Sequence, residues 1–220
     1  MTSTRHALES LYRRLFDHYG PQHWWPAETP FEVMVGAVLT QNTAWINVER
    51  AIENLRRADL LDAAAIAALS PQVLAVHLRP SGYFNVKAKR LQALCDWLLA
   101  RDDQQRLTTE ALRKSLLSIH GIGPETADDI LLYAYERPVF VIDAYTRRLC
   151  SRLGLLDARL PYEALRSVFE RALPADVAMY NEFHALIDHH AKQVCRPKPR
   201  CEACMLHHDC PWQTQQGVLD

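Results

Sequence analysis

The sequence lacks several features that would each define a class of protein. No apolar run approaches the roughly 20 residues of a membrane span. The polar start of residues 1–6 is not typical of a signal peptide, so we expect a cytoplasmic location and no membrane partner. The formal net charge is only -1. A nucleic-acid partner would therefore be held by local basic patches rather than by the field of the whole protein.

Signals for β-structure are absent too. The sequence shows no hairpin of alternating strands, no internal repeat and no low-complexity linker. Apolar residues recur at helical spacing, and Thr29-Pro30 followed by Glu32 is a strong helix start. The 220 residues, of which 49% are hydrophobic and 23% charged, can build one large domain or two lobes. We predict an all-α protein, with helices over residues 5–19, 31–41, 42–55, 62–69, 72–78, 85–100, 143–154, 161–172 and 177–195 and on both sides of the glycine motif described next.

Residues 116–143 contain the motif around which the chain is organised. One apolar-periodic segment stops at Gly121-Ile122-Gly123, and a second begins with Pro124 and continues to Ala134 at helical spacing. This pattern predicts two helices joined by a tight glycine hairpin. Glycines can take backbone angles closed to other residues, and the amide groups at the second helix's N-terminus suit a phosphate oxygen. The hairpin thus indicates a sequence-independent contact with a DNA or RNA backbone, unless it is an ordinary helix corner whose glycines only allow close packing.

A longer pattern makes the hairpin more specific. It reads Leu-x-x-hydrophobic-x-Gly-Ile-Gly-x-x-Thr-Ala-x-x-hydrophobic, followed by Val-x-Asp. This resembles the helix-hairpin-helix and catalytic aspartate of the endonuclease III superfamily of DNA glycosylases. The residues on the pattern are Gly121, Ile122, Gly123, Thr126, Ala127 and Asp143.

The resemblance covers about residues 30–210 and implies a fold, a partner and contact residues. The implied fold has two lobes: a six-helix barrel lobe over residues 25–136, with the helix-hairpin-helix at about 109–135, and a second helical lobe formed by residues 1–24 and 137–220. The implied partner is double-stranded DNA carrying a damaged base, bound in the cleft between the lobes by a monomer. The implied DNA contacts of the hairpin are Gly121, Ile122, Gly123 and Thr126.

Asp143 is the candidate catalytic residue. Cleavage of a base–sugar bond builds oxocarbenium character on the sugar, which a nearby carboxylate stabilises while it orients the attacking water. Asp143 also has the place of a helix N-cap, and the resemblance implies that it has both roles. Strand cleavage further needs an amine nucleophile. The resembling family has this lysine where the present chain has Glu125, so we expect no lyase step and a solvated carboxylate in the first helical turn.

Base chemistry within a duplex requires the nucleotide to be flipped out and its place to be filled. The resemblance implies that Gln41 fills the gap and that Tyr83 enters the opposite strand. Taken singly, a surface glutamine and a loop tyrosine are also ordinary features of a globular protein.

Three tryptophans supply flat surfaces for a flipped base. Trp24, Trp25 and Trp45 can stack on a base, and more strongly on a cationic one, while Pro26 stiffens the first pair. The alternative is that these tryptophans are core residues. The segment Trp24-Trp25-Pro26, together with the stretches 40–43 and 79–82, resembles the 3-methyladenine glycosylase branch of the superfamily.

Four of the six cysteines lie close to the end of the chain. Their order is Cys195-x5-Cys201-x2-Cys204-x5-Cys210, which indicates a metal site rather than disulfides in an intracellular chain. Four thiolates can bind Zn²⁺ or a [4Fe–4S] cluster. The spacing resembles the cluster loop of endonuclease III, whose first gap is usually one residue longer, and this resemblance implies a [4Fe–4S] cluster, with zinc as the alternative.

The cysteine loop is also basic. We expect its cations to form a phosphate-facing patch in which Lys198 and Arg200 contact DNA, although a solvated charged tail is the alternative. The basic residues are Lys192, Arg196, Lys198 and Arg200.

Cys95 and Cys150 lie within helical apolar patterns and are predicted to be small buried hydrophobes.

These observations favour a monofunctional DNA N-glycosylase that releases an alkylated purine such as 3-methyladenine. An endonuclease III-like enzyme for oxidised pyrimidines, with or without lyase activity, is one alternative. A non-catalytic helix-hairpin-helix DNA-binding module is another. Asp143 argues against the module, which has no need of a buried carboxylate at that position.

Overall fold

A computed structural model describes residues 2–212 of the chain. This range contains helices and no β-strand, which confirms the all-α prediction. No helix within it combines the length and the apolar character of a membrane span. The α-helices are α1 Thr2–Tyr19, α2 Pro30–Leu39, α3 Trp45–Arg57, α4 Ala63–Ala68, α5 Pro71–Leu78, α6 Phe84–Leu99, α7 Thr109–Leu117, α8 Pro124–Asp129, α9 Ala144–Arg152, α10 Tyr162–Ala172 and α11 Val177–Gln193.

The chain forms two compact units. The central unit, residues 25–137, contains α2 to α8. The terminal unit, residues 1–24 together with 138–220, contains α1 and α9 to α11 in its described part.

The core of the central unit is built around α2. Thr29 caps this helix by accepting a hydrogen bond from the Glu32 amide at 3.1 Å, as predicted, and every residue from Glu32 to Leu39 is buried. The helix packs against α3, α6 and the π-helical turn that continues α8. Glu32 can be buried because its carboxylate pairs with Arg56 of α3 at 2.9 Å.

Two helix starts differ from the sequence prediction. The helix predicted from residue 42 begins at Trp45, because Asn42 has a φ of 55° and interrupts the helical backbone. Asn85 does not cap α6: the helix begins at Phe84, after Tyr83 with a φ of 47°. The second hairpin helix also changes to π-helical geometry at Ile130–Ala134, which periodicity alone did not predict.

The core of the terminal unit is aromatic. Phe140 stacks on Phe169 with ring centroids 4.0 Å apart and meets the edges of Tyr180 and Phe183. Burial of each such ring stabilises the fold by roughly 1.5–3 kcal/mol. Phe140 belongs to the extended segment that leads to Asp143, so this core fixes the backbone immediately before the candidate catalytic residue.

Candidate active site

Asp143 lies at the start of α9. Its Oδ1 accepts a hydrogen bond from the Thr146 amide at 2.7 Å, which is the geometry of a helix N-cap. Its Oδ2 lies 3.7 Å from Nε2 of His184 on α11, and the Asp143 side chain is only 13% exposed. The carboxylate is therefore nearly enclosed, with both oxygens facing groups that favour its charged form.

Two opposing effects set the charge of Asp143. Burial is the largest and acts to raise the pKa of the carboxyl, whereas the contacts with His184 and with the Thr146 amide lower it. The net result is a pKa below the ordinary value for aspartate. Asp143 is thus an anion at neutral pH, held at a helix N-terminus.

A polar stripe of α11 leads away from Asp143. His184 and Asp188 are buried, and Asp188 forms an ion pair with Lys192 at 2.8 Å. The Lys192 ammonium also lies 5.4 Å from the ring centre of Trp24, which belongs to the terminal unit. Lys192, predicted as part of the basic patch, is therefore already paired. Sequence reasoning missed His184, although the four-residue steps of the stripe on a largely buried helix were a usable signal.

The glycine hairpin joins α7 to α8 in the central unit. Gly121 has a φ of 86°, and a Cβ atom there would collide with the Arg90 side chain. Gly123 has a φ of -89°, which any residue adopts, so the conformational requirement for glycine applies to Gly121 alone. The space around the Cα of Gly123 is open, whereas the Ile122 side chain is buried.

The hairpin binds the side chain of Gln41. The amide nitrogen of Gln41 donates to the Gly121 carbonyl at 3.1 Å and to Thr126 Oγ1 at 2.9 Å. Its oxygen accepts from Arg90 at 2.5 Å. Thr126 is buried and holds Gln41 in place. Gln41 must release these three bonds before it can fill a gap in DNA, and that role stays a prediction.

Lys87 is a buried residue that the sequence did not reveal. It is 1% exposed and donates to the carbonyls of Leu39 at 2.8 Å and Ser81 at 2.7 Å. Burial lowers the pKa of its ammonium to about 8. Leu39 ends the helix before Gln41, and Ser81 precedes the 67% exposed Tyr83. One ammonium group therefore braces both predicted DNA-inserting segments.

Three aromatic rings meet in the central unit. The ring of Trp25 lies 5.1 Å from that of Trp45, edge to face, and 5.1 Å from that of Tyr133. Trp25 reaches this position because Gly36 has no side chain: a Cβ there would lie 3.1 Å from the indole. Tyr133 belongs to the π-helical turn and was not among the predicted residues.

A groove beside this cluster is acidic. Its wall includes Pro26 and Trp45, and the indole N–H of Trp45 donates to Glu49 Oε1 at 2.8 Å. The carboxylates that line the groove belong to Glu28, Glu32, Glu49 and Glu53.

The four clustered cysteines line one cavity of the terminal unit. Arg152, His190 and Trp212 also line it, together with apolar side chains such as Leu149 and Leu206. Arg152 Nη1 lies 3.3 Å from Cys195 Sγ. The cavity cysteines are Cys195, Cys201, Cys204 and Cys210.

The cysteines of this cavity can be thiolates when a metal cation is bound to them. Burial raises the pKa of the Cys201 and Cys204 thiols, so a positively charged metal group is needed to hold them as thiolates. Within residues 2–212, no three side chains of His, Cys, Asp or Glu are arranged to hold a single metal ion. Arg14 of α1 holds the cysteine loop in place by donating hydrogen bonds to the Asp209 carboxylate at 2.7 Å and to the Met205 carbonyl at 2.9 Å.

Other predicted residues have clear positions. Cys95 and Cys150 are fully buried, as expected. Lys198 and Arg200 are exposed on the cysteine loop. Glu125 is exposed in the first turn of α8.

A helix-hairpin-helix followed by an enclosed aspartate at a helix N-terminus defines a class of DNA glycosylases. The chain matches the family described as "HhH-GPD superfamily base excision DNA repair protein" over residues 35–175, and it belongs to that superfamily. It is therefore a DNA glycosylase of base excision repair, with the endonuclease III fold.

Particular relatives agree with this assignment. The chain is 46% identical over 212 residues to a protein of Methanocaldococcus jannaschii provisionally named a DNA repair glycosylase, covering 92% of this chain and 95% of the relative. It is 26% identical over 212 residues to endonuclease III of Thermotoga maritima, covering 96% and 95%.

Solved structures resemble the chain as well. The 3-methyladenine DNA glycosylase MagIII of H. pylori, bound to 1,N6-ethenoadenine, is 31% identical with a TM-score of 0.70, covering 86% of this chain and 97% of that one. A trapped endonuclease III–DNA covalent intermediate has a TM-score of 0.83 at 19% identity, covering 97% and 98%, which shows the shared fold.

Proposed function

We propose that this chain is a monofunctional N-glycosylase that releases alkylated purines such as 3-methyladenine from double-stranded DNA. The observation that carries the catalytic part is Asp143, an enclosed carboxylate whose pKa is held below its ordinary value. An anion in a site of low polarity stabilises the oxocarbenium character of the breaking sugar bond more strongly than it would in water. It also aligns the attacking water and accepts its proton.

The absence of a lyase step is supported by Glu125. An imine requires an amine nucleophile, and this exposed side chain at the second helix of the hairpin is a carboxylate. Its negative charge is stabilised by the helix N-terminus, which explains why the position tolerates an acid. Water is then the nucleophile, and the product is an abasic site in an intact strand.

The preference for an alkylated purine is supported by the aromatic cluster. Alkylation at purine N3 or N7 puts positive charge on the base, which weakens the glycosidic bond and makes the base attractive to electron-rich rings. Glu49 accepts a hydrogen bond from the Trp45 indole N–H, and this bond increases the electron density of the Trp45 ring. Cation–π attraction of this kind favours a charged base by roughly 0.5–2 kcal/mol. The 31% identity with a 3-methyladenine DNA glycosylase points the same way.

DNA is held, in this proposal, by backbone contacts and inserted side chains. The open space at Gly123 lets a phosphate approach the hairpin amides, to which Gly121 and Ile122 contribute backbone only. Exposed Lys198 and Arg200 add phosphate contacts from the cysteine loop. Gln41 fills the gap left by the flipped nucleotide, and Tyr83 enters the opposite strand.

We assign a [4Fe–4S] cluster to the four cysteines, bound through Cys195, Cys201, Cys204 and Cys210. Four thiolates can bind such a cluster, and the spacing of the cysteines resembles that of the endonuclease III cluster loop. Arg152 beside Cys195 Sγ offsets the negative charge that four thiolates bring. The cluster would stabilise the loop that carries Lys198 and Arg200, without a part in bond cleavage.

The second candidate is an endonuclease III-like enzyme for oxidised pyrimidines that uses water. It is favoured by the 26% identity with endonuclease III over 212 residues and by the cysteine loop. Under this candidate Trp25 and Trp45 are core residues and do not select the base.

Trp45→Ala distinguishes the two candidates, with Ile46→Ala as a control on the same helix because Ile46 is 53% exposed. We expect Trp45→Ala to slow release of 3-methyladenine from methylated DNA by about 2–30-fold, the range equivalent to the cation–π attraction. Binding to abasic DNA should change little, and Ile46→Ala should match the unsubstituted protein. Equal rates for Trp45→Ala and Ile46→Ala would show that the aromatic cluster does not select the base.

A further inference from the structure

The polar stripe of α11 has no assigned role in the proposed reaction. His184, Asp188 and Lys192 follow one another at four-residue steps, so they share a face of the helix. His184 is 5% exposed and Asp188 is 6% exposed. Polar groups at this depth are costly to bury unless they interact with one another.

The stripe has alternating charge and ends at Asp143. The order is the Asp143 carboxylate, the His184 imidazole at 3.7 Å, the Asp188 carboxylate, and the Lys192 ammonium 2.8 Å from Asp188. Both carboxyl groups interact electrostatically with the imidazole between them. Burial raises the pKa of Asp188, and the contacts with Lys192 and His184 oppose that rise. Lys192, 37% exposed, neutralises the outer end of the stripe.

Asp143 needs such a partner because of its enclosure. Burial is the largest effect on its pKa and acts to raise it; His184 and Thr146 reverse that direction. The Thr146 amide is present at any helix start, whereas His184 is a specific side chain brought from another helix.

We propose that His184, in its charged form, is a positioning residue that holds the Asp143 carboxylate as an anion oriented through Oδ2. The inference rests on the proposed catalytic role of Asp143. It adds a dependence of that role on α11, a helix that carries no residue of the predicted active site.

Other ionisable groups near α11 do not replace this charge. On α9, burial raises the pKa of the Cys150 thiol to about 12, which keeps it neutral. Arg148 of α9 is bound to the Ala191 carbonyl in the last turn of α11. On α1, Tyr12 and Tyr19 meet α11 with pKa values raised first by burial, so they stay neutral.

The test is His184→Gln, which keeps a polar side chain and removes the charge. Base release is measured in single turnover from pH 5 to 8, on a duplex with the lesion that the unsubstituted protein cleaves fastest. The unsubstituted rate should be flat on the acid side of this range. The variant should be slower by on the order of tenfold at pH 5 and recover to within about threefold at pH 8, because removal of the cation lets burial raise the pKa of Asp143.

Binding to abasic DNA and the melting temperature serve as controls, and His184→Asn repeats the measurement if the glutamine variant does not fold. A rate that falls equally at every pH indicates only a structural role and overturns the proposal, as does an unchanged profile. Asp143→Asn is run in parallel. If Asp143→Asn keeps its rate, the proposed function itself fails; if it loses its rate while His184→Gln keeps a flat acid side, only the present inference fails.

Discussion

Replacement of Asp143 by Asn separates the two roles of this residue. The asparagine oxygen can still accept the Thr146 amide, now 2.7 Å from Oδ1, and asparagine caps helices about as well as aspartate. The change at the cap should therefore alter the unfolding free energy by less than about 1 kcal/mol. Loss of the ionic partner of the buried His184 adds a further destabilisation. What disappears is the negative charge of the enclosed, 13% exposed carboxylate, which the proposed mechanism places beside the sugar.

The expected effect on the reaction is much larger. Loss of one preorganised electrostatic contact costs about 3 kcal/mol of transition-state stabilisation, on the order of 100-fold in rate. The assay is single-turnover release of the free base, with binding to the lesion duplex measured separately. Retained binding with a rate at least about 30-fold lower is the expected result. A rate within about threefold of the unsubstituted protein would refute the assignment of Asp143 as the catalytic carboxylate.

Two further predictions concern the lyase position and the cysteine loop. Glu125→Lys should give a borohydride-trapped adduct with abasic DNA, because it supplies an amine whose pKa is lowered by the helix N-terminus. The unsubstituted protein and Glu125→Gln should give no adduct. An adduct with the unsubstituted protein would show that another amine acts as the nucleophile. The purified protein should be brown, with broad absorbance at about 400 nm. The Cys204→Ala variant should lose this colour, and its cysteine loop should be less stable. Cys95→Ala, a buried cysteine outside the loop, should stay brown, and a colourless protein with one zinc per chain would contradict the cluster.

Local chemistry accounts for the part of the fold that the sequence predicted. Thr29, Ser70 and Asp143 cap the helices that follow them because each supplies an oxygen to an amide three residues later. Asn85 has the same chemistry but does not cap, because the helix already begins at Phe84, with the left-handed Tyr83 at its N-cap position. A preference for one backbone conformation can be overridden by neighbours in space, which a single sequence does not display.

The residues that were missed depend on contacts between distant parts of the chain. Lys87 reaches the Leu39 carbonyl, 48 positions away, and a lysine in an amphipathic pattern ordinarily predicts an exposed charge. His184 lies on α11, yet its partner Asp143 precedes α9. Tyr133 contacts Trp25 because it lies in a π-helical turn. The hydrophobic periodicity of the sequence does not predict the register of that turn. The motif residues were identifiable because their chemistry is local, and the supporting residues were not.

The most direct measurement compares base release from duplexes that each carry one lesion: 3-methyladenine, thymine glycol or uracil. We expect free 3-methyladenine to be released fastest and the strand to stay intact until the abasic site is cleaved chemically. Fastest release of thymine glycol would contradict the alkylpurine assignment and favour the endonuclease III-like candidate.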